Sequence, residues 1–323
     1  MGHESWAWSM AAVALLPAVL RASTPILLTA LGGLLSDLAG CINVGLEGLM
    51  LVAAFFAVMG SVLAAYCLPG LPPVWHAWLG ALAGVLAAML LALLLAVFHL
   101  EWGADLIVAG IALNVLAAGL TVFLLSTLVG DKGSTAGLDT PVLPALHLPG
   151  LQSWPQLDLL LNGEHGRGHH LLLWTALLAI PVLRLLLHHT RTGVWLCASG
   201  EHPQAAAEAG IPVKRMRYLA LLLSGLLAGL GGVYLSMGYL SLFQADMTAG
   251  RGFLALAAVF VGARSLTGTV VASLLFGASA VLSTRLGAAG MAPQLLYMLP
   301  PAVTLLALVA AGTRKRGRTR RST

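Results

Sequence analysis

What this chain most lacks is charge. Only 9% of its 323 residues are Asp, Glu, Lys or Arg, against about a quarter in ordinary soluble domains. A surface so poor in charge does not suit a large soluble enzyme. Cysteine is scarce as well. Cys41, Cys67 and Cys197 stand far apart with no C-x-x-C pair, which argues against a disulfide framework and against a zinc site. Catalytic motifs are missing too: there is no H-E-x-x-H, no G-x-S-x-G and no G-x-x-x-x-G-K-[ST], so the chain is not its own ATPase. Three histidine pairs (His165 with His169, His169–His170, His188–His189) have no carboxylate or cysteine at ligand spacing. Solvation at a membrane edge explains them better than a metal, and neither a metal nor a cofactor is expected.

Long apolar runs are abundant. They fall near 11–35, 43–66, 77–98, 104–128, 169–188, 218–240, 252–267, 269–286 and 294–311, and a spanning helix needs about 20 apolar residues. The pair at 252–286 is short and interrupted by Gly262, Gly268 and Gly277, so it holds either two short spans or a re-entrant piece. The expectation is an all-α polytopic bundle of eight to ten transmembrane helices forming a single domain over 1–323. The first run lacks a basic leader and is expected to stay as a helix. The basic residues are placed unevenly. Arg314, Lys315, Arg316, Arg318, Arg320 and Arg321 crowd the tail at 312–323, and Arg184, Arg191, Lys214, Arg215 and Arg217 surround the 189–217 loop. A tail that directly follows an apolar helix obeys the positive-inside rule rather than marking a nucleic-acid site. Both basic regions are therefore expected in the cytoplasm, with 129–168 and 241–251 outside. Nine helices put the N-terminus outside, and ten reverse it.

Polar residues inside the oily runs are where function is sought. GCINVGLEG at 40–48 places Gly40, Asn43, Gly45, Glu47 and Gly48 at the head of a hydrophobic run. On a helix Asn43 and Glu47, four apart, share a face. Ionisable groups in membranes turn to a bundle interior or a wet cavity, so the pair either borders a translocation path or caps and bridges helices. Asn114 is a second isolated amide, a helix bridge or a path residue. Asp246 and Arg251 form either an ion pair at the outer end of helix 252–267 or a docking point for an external partner. Gly225, Gly229 and Gly232 open a small face on helix 218–240 for close helix packing. In the cytoplasmic stretch GEHPQAAAEAGIPVKR, Pro203 suits a first helical position and Gly210 with Pro212 ends a helix of about two turns. So short a helix persists only by packing on something.

These stretches resemble a known family. GCINVGLEGLMLVAAFFA is similar to the G-x-x-N-[IV]-G-x-E-G signature of permease subunits from ABC-type nucleoside and simple-sugar importers. VAGIALNVLAAGLT, ASGEHPQAAAEAGIPVKRMR, LSGLLAGLGGVYLSMG and MTAGRGFLALAAVFVG match later blocks in order. The likeness covers roughly 22–311 and looks most like the smaller paralogue of the permease pair. It implies a type II importer fold, a paralogous permease, two copies of a cytoplasmic ABC ATPase and an extracytoplasmic substrate-binding lipoprotein in a bacterial cell membrane. Gly200, Glu201, His202, Pro203, Ala206 and Gly210 would then form the element that couples to the ATPase. Leu38 and Cys197 stand where arginine is expected, and GARSLTG at 262–268 lacks the usual proline.

The implied substrates are nucleosides, with riboflavin or a simple sugar as alternatives. The rival from another class is a proton-coupled secondary transporter using Glu47 or Asp105. No second copy of GCINVGLEG supports the repeats such carriers often show. An intramembrane enzyme lacks any nucleophile–base or metal constellation. Trp102, Tyr234, Tyr239 and Phe243 are the aromatics able to stack on a base, although interfacial placement is their default explanation.

Overall fold

A computed structural model describes residues 2–131, 133–147, 168–288 and 302, with side chains from residue 15 onward. The 294–311 run, the 312–323 tail, residues 148–167 and His165 lie outside these. The chain is almost wholly helical: α1 (Gly2–Leu38), α2 (Leu46–Cys67), α3 (Pro73–Leu100) and α4 (Leu106–Leu128), then a two-residue antiparallel pairing of β1 (Ala145–Leu146) with β2 (His169–His170). After it come α5 (Leu171–His189), α6 (Arg191–Glu201), α7 (Pro203–Glu208), α8 (Val213–Val233), α9 (Arg251–Val261) and α10 (Leu266–Ala288). Among the described residues seven helices are long and apolar enough to cross a membrane.

Burial sorts these spans. In α1 and α8, 72% of the central window is buried, against 33% in α3 and α4 and 28% in α5. Helices α1 and α8 therefore form the middle of the bundle, with α2 beside them. The outer faces of α3, α4 and α5 carry exposed Leu86, Leu90, Ile111, Val115, Val182 and Leu185, side chains that suit hydrocarbon. Close packing at the centre depends on glycine. A Cβ on Gly225 would sit 2.5 Å from Ala92 of α3, one on Gly229 3.0 Å from Ala88, and one on Gly232 would strike the Met50 carbonyl of α2. With little hydrophobic force between helices in lipid, such backbone approach supplies the dispersion contact that holds them.

Two departures from regular helix matter most. Residues 39–45 are non-helical, and α2 begins only at Leu46. The second lies around 240–250. Here α8 widens into a π-helical turn, Tyr234–Tyr239, with Leu240 N–H reaching the Leu235 carbonyl at 3.2 Å. The chain then runs irregularly to α9, with Ser241, Asp246 and Ala249 at positive φ. Helix α9, at 11 residues, rises only about 16 Å and cannot cross a bilayer. It ends at Gly262, earlier than the apolar run suggested, and α10 starts at Leu266. Gly262 and Gly268 face each other so closely that a Cβ on either would strike the other's neighbourhood. The 252–286 stretch is thus one re-entrant helix and one full span.

Candidate functional site

The break before α2 gathers the polar residues that the oily runs isolated. Asn43 is fully buried but lies ahead of the helix, so it does not share a helical face with Glu47. Its carbonyl oxygen accepts Gly45 N–H at 3.0 Å, and its amide donates to Ser224 Oγ of α8 at 3.0 Å. One side chain thereby shapes the turn and ties it to the central helix. Asn114 clamps the same turn from α4: its Oδ1 accepts Gly48 N–H at 2.8 Å and its Nδ2 donates to the Val44 carbonyl at 2.9 Å. Helix α4 comes this near because position 110 is glycine; a Cβ there would lie 2.9 Å from Gly45 N.

Glu47 reaches across to α9. Oε1 accepts Gly250 N–H at 2.8 Å and Oε2 accepts Gly252 N–H at 2.6 Å. A helix start exposes backbone N–H groups and a positive dipole end, and here a buried carboxylate from another helix satisfies both. Two glycines permit it. Gly250 has φ +80, and a Cβ on Gly252 would stand 2.5 Å from Glu47 N. The Gly250 and Gly252 partners were hidden from the sequence reading, which treated AGRG only as a helix start 203 residues away. Arg251, half-buried, turns back on the Met247 and Thr248 carbonyls at 2.8 and 3.2 Å. Among the described residues the ion pairs are Lys214–Glu101 and Arg264–Asp37, so the expected Asp246–Arg251 pair is replaced by this local capping, and Asp246 stays exposed.

At its other end the break touches the α6–α7 segment. Gly40, at φ +80, has Gly200 Cα only 3.2 Å from where its Cβ would be, and a Cβ on Gly200 would strike the Leu38 carbonyl. Helix α7 runs Pro203–Glu208 with Pro203 at its start. Ile211 N–H returns to the Ala206 carbonyl and Gly210 N–H to the Ala207 carbonyl, both at 3.0 Å. That is the two-bond glycine C-cap with Gly210 left-handed. Glu201 and His202 are exposed between α6 and α7, and Ala206 is buried. Nearby, the deeply buried Asp37 accepts Arg264 Nε at 2.5 Å, while Arg264 Nη2 donates to the Asp37 carbonyl at 2.7 Å. This tie between the end of α1 and the α9–α10 turn was missed in sequence because neither residue falls in a motif.

The other singled-out groups fall elsewhere. Asp105 is exposed and caps α4, accepting Ile107 and Val108 N–H at 2.9 and 3.0 Å. Phe243 and Tyr234 are core residues; Phe243 packs edge-on against Phe55 with ring centres 5.2 Å apart. Trp102 stacks on Phe98 at 5.1 Å. Only Tyr239 of these latter three positions past α8's start, with Tyr234 and Phe243, is half-exposed.

The chain is 35% identical over 273 residues to the guanosine ABC transporter permease protein NupQ of Bacillus subtilis (strain 168), covering 83% of this chain and 81% of that one. It is 34% identical over 255 residues to the nucleoside ABC transporter permease protein NupC of Lactococcus lactis subsp. cremoris, covering 79% and 77%. The putative glucose ABC transporter permease protein TsgC13 of Haloferax volcanii is 32% identical over 280 residues, 85% of this chain and 78% of that one. Residues 15–308 match the family described as branched-chain amino acid transport system / permease component. With the broken helices, the membrane spans and these relatives together, the chain belongs to that family of multi-pass membrane permeases.

Proposed function

We propose that this chain is the transmembrane subunit of an ATP-driven importer for nucleosides, forming the translocation path with a paralogous permease. The observation that carries the substrate class is its 34–35% identity, over most of its length, to a guanosine and a nucleoside permease. The likeness to a putative glucose permease keeps a sugar as the second reading. On this proposal a separate cytoplasmic ATPase hydrolyses ATP and an extracytoplasmic lipoprotein delivers substrate. The protein sits in a bacterial cell membrane with its C-terminus in the cytoplasm.

The geometry supports a route for coupling. Helix α7, rigidly ended by Gly210, is the element that an ATPase would move. Its root at Gly200 abuts Gly40, and the 40–48 segment carries any displacement to α8 through Asn43, to α4 through Asn114 and to α9 through Glu47. Switches of this kind move packed rigid bodies rather than bend them. In this reading Asn43, Glu47 and Asn114 serve the path by holding its walls. Nucleoside uptake should stop when the partner ATPase is inactivated while the proton gradient is kept. Uptake that survives, and collapses with an uncoupler at constant ATP, would establish the proton-coupled alternative.

A further inference from the structure

The outer faces of the bundle differ in kind. Those of α3, α4 and α5 are apolar throughout their middle turns. The stretch from Tyr239 to Phe260 is not. Tyr239, Ser241, Gln244, Asp246 and Ala249 are exposed on irregular backbone. This backbone lies at membrane depth. It begins level with His170, which Gly238 touches, at the start of the α5 span, and it ends at Gly250 on Glu47, in the first turn of α2. Irregular backbone at that depth is tolerated only inside protein or against water, and an exposed carboxylate there requires water. Helix α9 continues the same strip. Gly252, Ala255, Ala258 and Val259 are buried, while Phe253 and Phe260, seven residues apart, are 48% and 41% exposed.

We infer that this strip, Gln244 and Asp246 above Phe253 and Phe260, is the wall of the aqueous conduit that this subunit presents to substrate. Its chemistry is two-sided: hydrogen-bonding side chains for hydroxyls, and phenyl faces for a flat ring. A neutral ligand bearing both, such as a nucleoside, matches it; a sugar would use the polar half alone. The assignment rests on the importer reading for the identity of the ligand, but its claim of water access does not. Glu47 has a positioning role here, since it fixes where α9 starts and hence where Phe253 points along the path.

The test uses membrane vesicles carrying the complete transporter, with Cys41→Ala, Cys67→Ser and Cys197→Ser as the background. Single cysteines at Asp246, Phe253 and, as a lipid-facing control, Val115 are treated with a charged thiol reagent. Asp246→Cys and Phe253→Cys should label at least about tenfold faster than Val115→Cys, and saturating guanosine or uridine should slow that labelling. Phe253→Ala should lower nucleoside uptake by about tenfold, the size of one lost base–aromatic stack, with Phe253→Tyr restoring it. Labelling as slow as at Val115 overturns the conduit. Fast labelling that nucleosides leave unchanged, in vesicles that do import them, overturns the ligand contacts. An absence of any nucleoside uptake by the unsubstituted transporter refutes the nucleoside reading instead.

Discussion

Glu47 puts both carboxylate oxygens on backbone donors of another element, Gly250 and Gly252. Removing it leaves two buried N–H groups without partners, and losing a cap of this kind costs about 1–2 kcal/mol. Glu47→Ala should therefore lower the melting temperature of the detergent-solubilised protein by several degrees, with Glu47→Gln in between. Full thermal stability with abolished uptake would instead put the carboxylate on the path itself. Asn114→Leu breaks two inter-element bonds, each worth about 0.6–2 kcal/mol within a membrane protein, and the same melting assay should register the sum. Glycine positions separate by their surroundings. Gly232→Ala drives a methyl into the Met50 carbonyl, whereas Gly119 has nothing within 4 Å. The first should destabilise strongly. The second should be neutral or stabilising by about 0.5–1 kcal/mol, the ordinary helix preference for alanine.

Helix α7 was readable before any coordinates, because its signals are local. Proline fixes the φ of its first residue, and Gly210 accepts the left-handed turn that closes it. Ala206→Pro removes the Ala206 N–H bond to the His202 carbonyl, and proline inside a helix costs about 3 kcal/mol. The expected result is a transporter that still folds and reaches the membrane but no longer couples ATP hydrolysis to uptake, read as the ratio of the two rates. Unchanged coupling would remove α7 from the mechanism. The start of α2 was misjudged for the opposite reason. Residues 43–47 are apolar and spaced like a helix, and what unwinds them is Asn43 bending back on Gly45 while Ser224 and Asn114, from distant parts of the chain, hold the turn open. Helix α9 shows the same limit: apolarity suggested a span to 267, but Gly262 and the Arg264–Asp37 tie stop it at Val261.

Across the whole bundle, one polar staple on the surface joins the α3–α4 turn to the foot of α8: Glu101 accepts Lys214 Nζ at 2.7 Å and Tyr218 Oη at 2.9 Å. The hydrogen bonds from Lys214 and Tyr218 hold the Glu101 carboxyl below its ordinary range. A carboxyl lowered on folding contributes stability above the unfolded value of about 4.3, and that contribution disappears as pH falls through the lowered folded value. Melting curves of the wild type and Glu101→Gln should therefore differ by a constant small amount between pH 6 and 8 and converge in acid. Exposed pairs contribute little, so a large difference at neutral pH would point to a wider role for the staple. Composition and run length alone determined that the chain is a multi-pass helical membrane protein, because the cost of burying charge in lipid is a property of each residue and needs no partner. Local signals determined α7 for the same reason. Tertiary structure alone decided where α2 begins, which oxygen caps α9 and which side of the bundle is wet. Those outcomes depend on hydrogen bonds and backbone contacts between residues up to 227 positions apart. GCINVGLEG names the joint, but only packing shows what it joins.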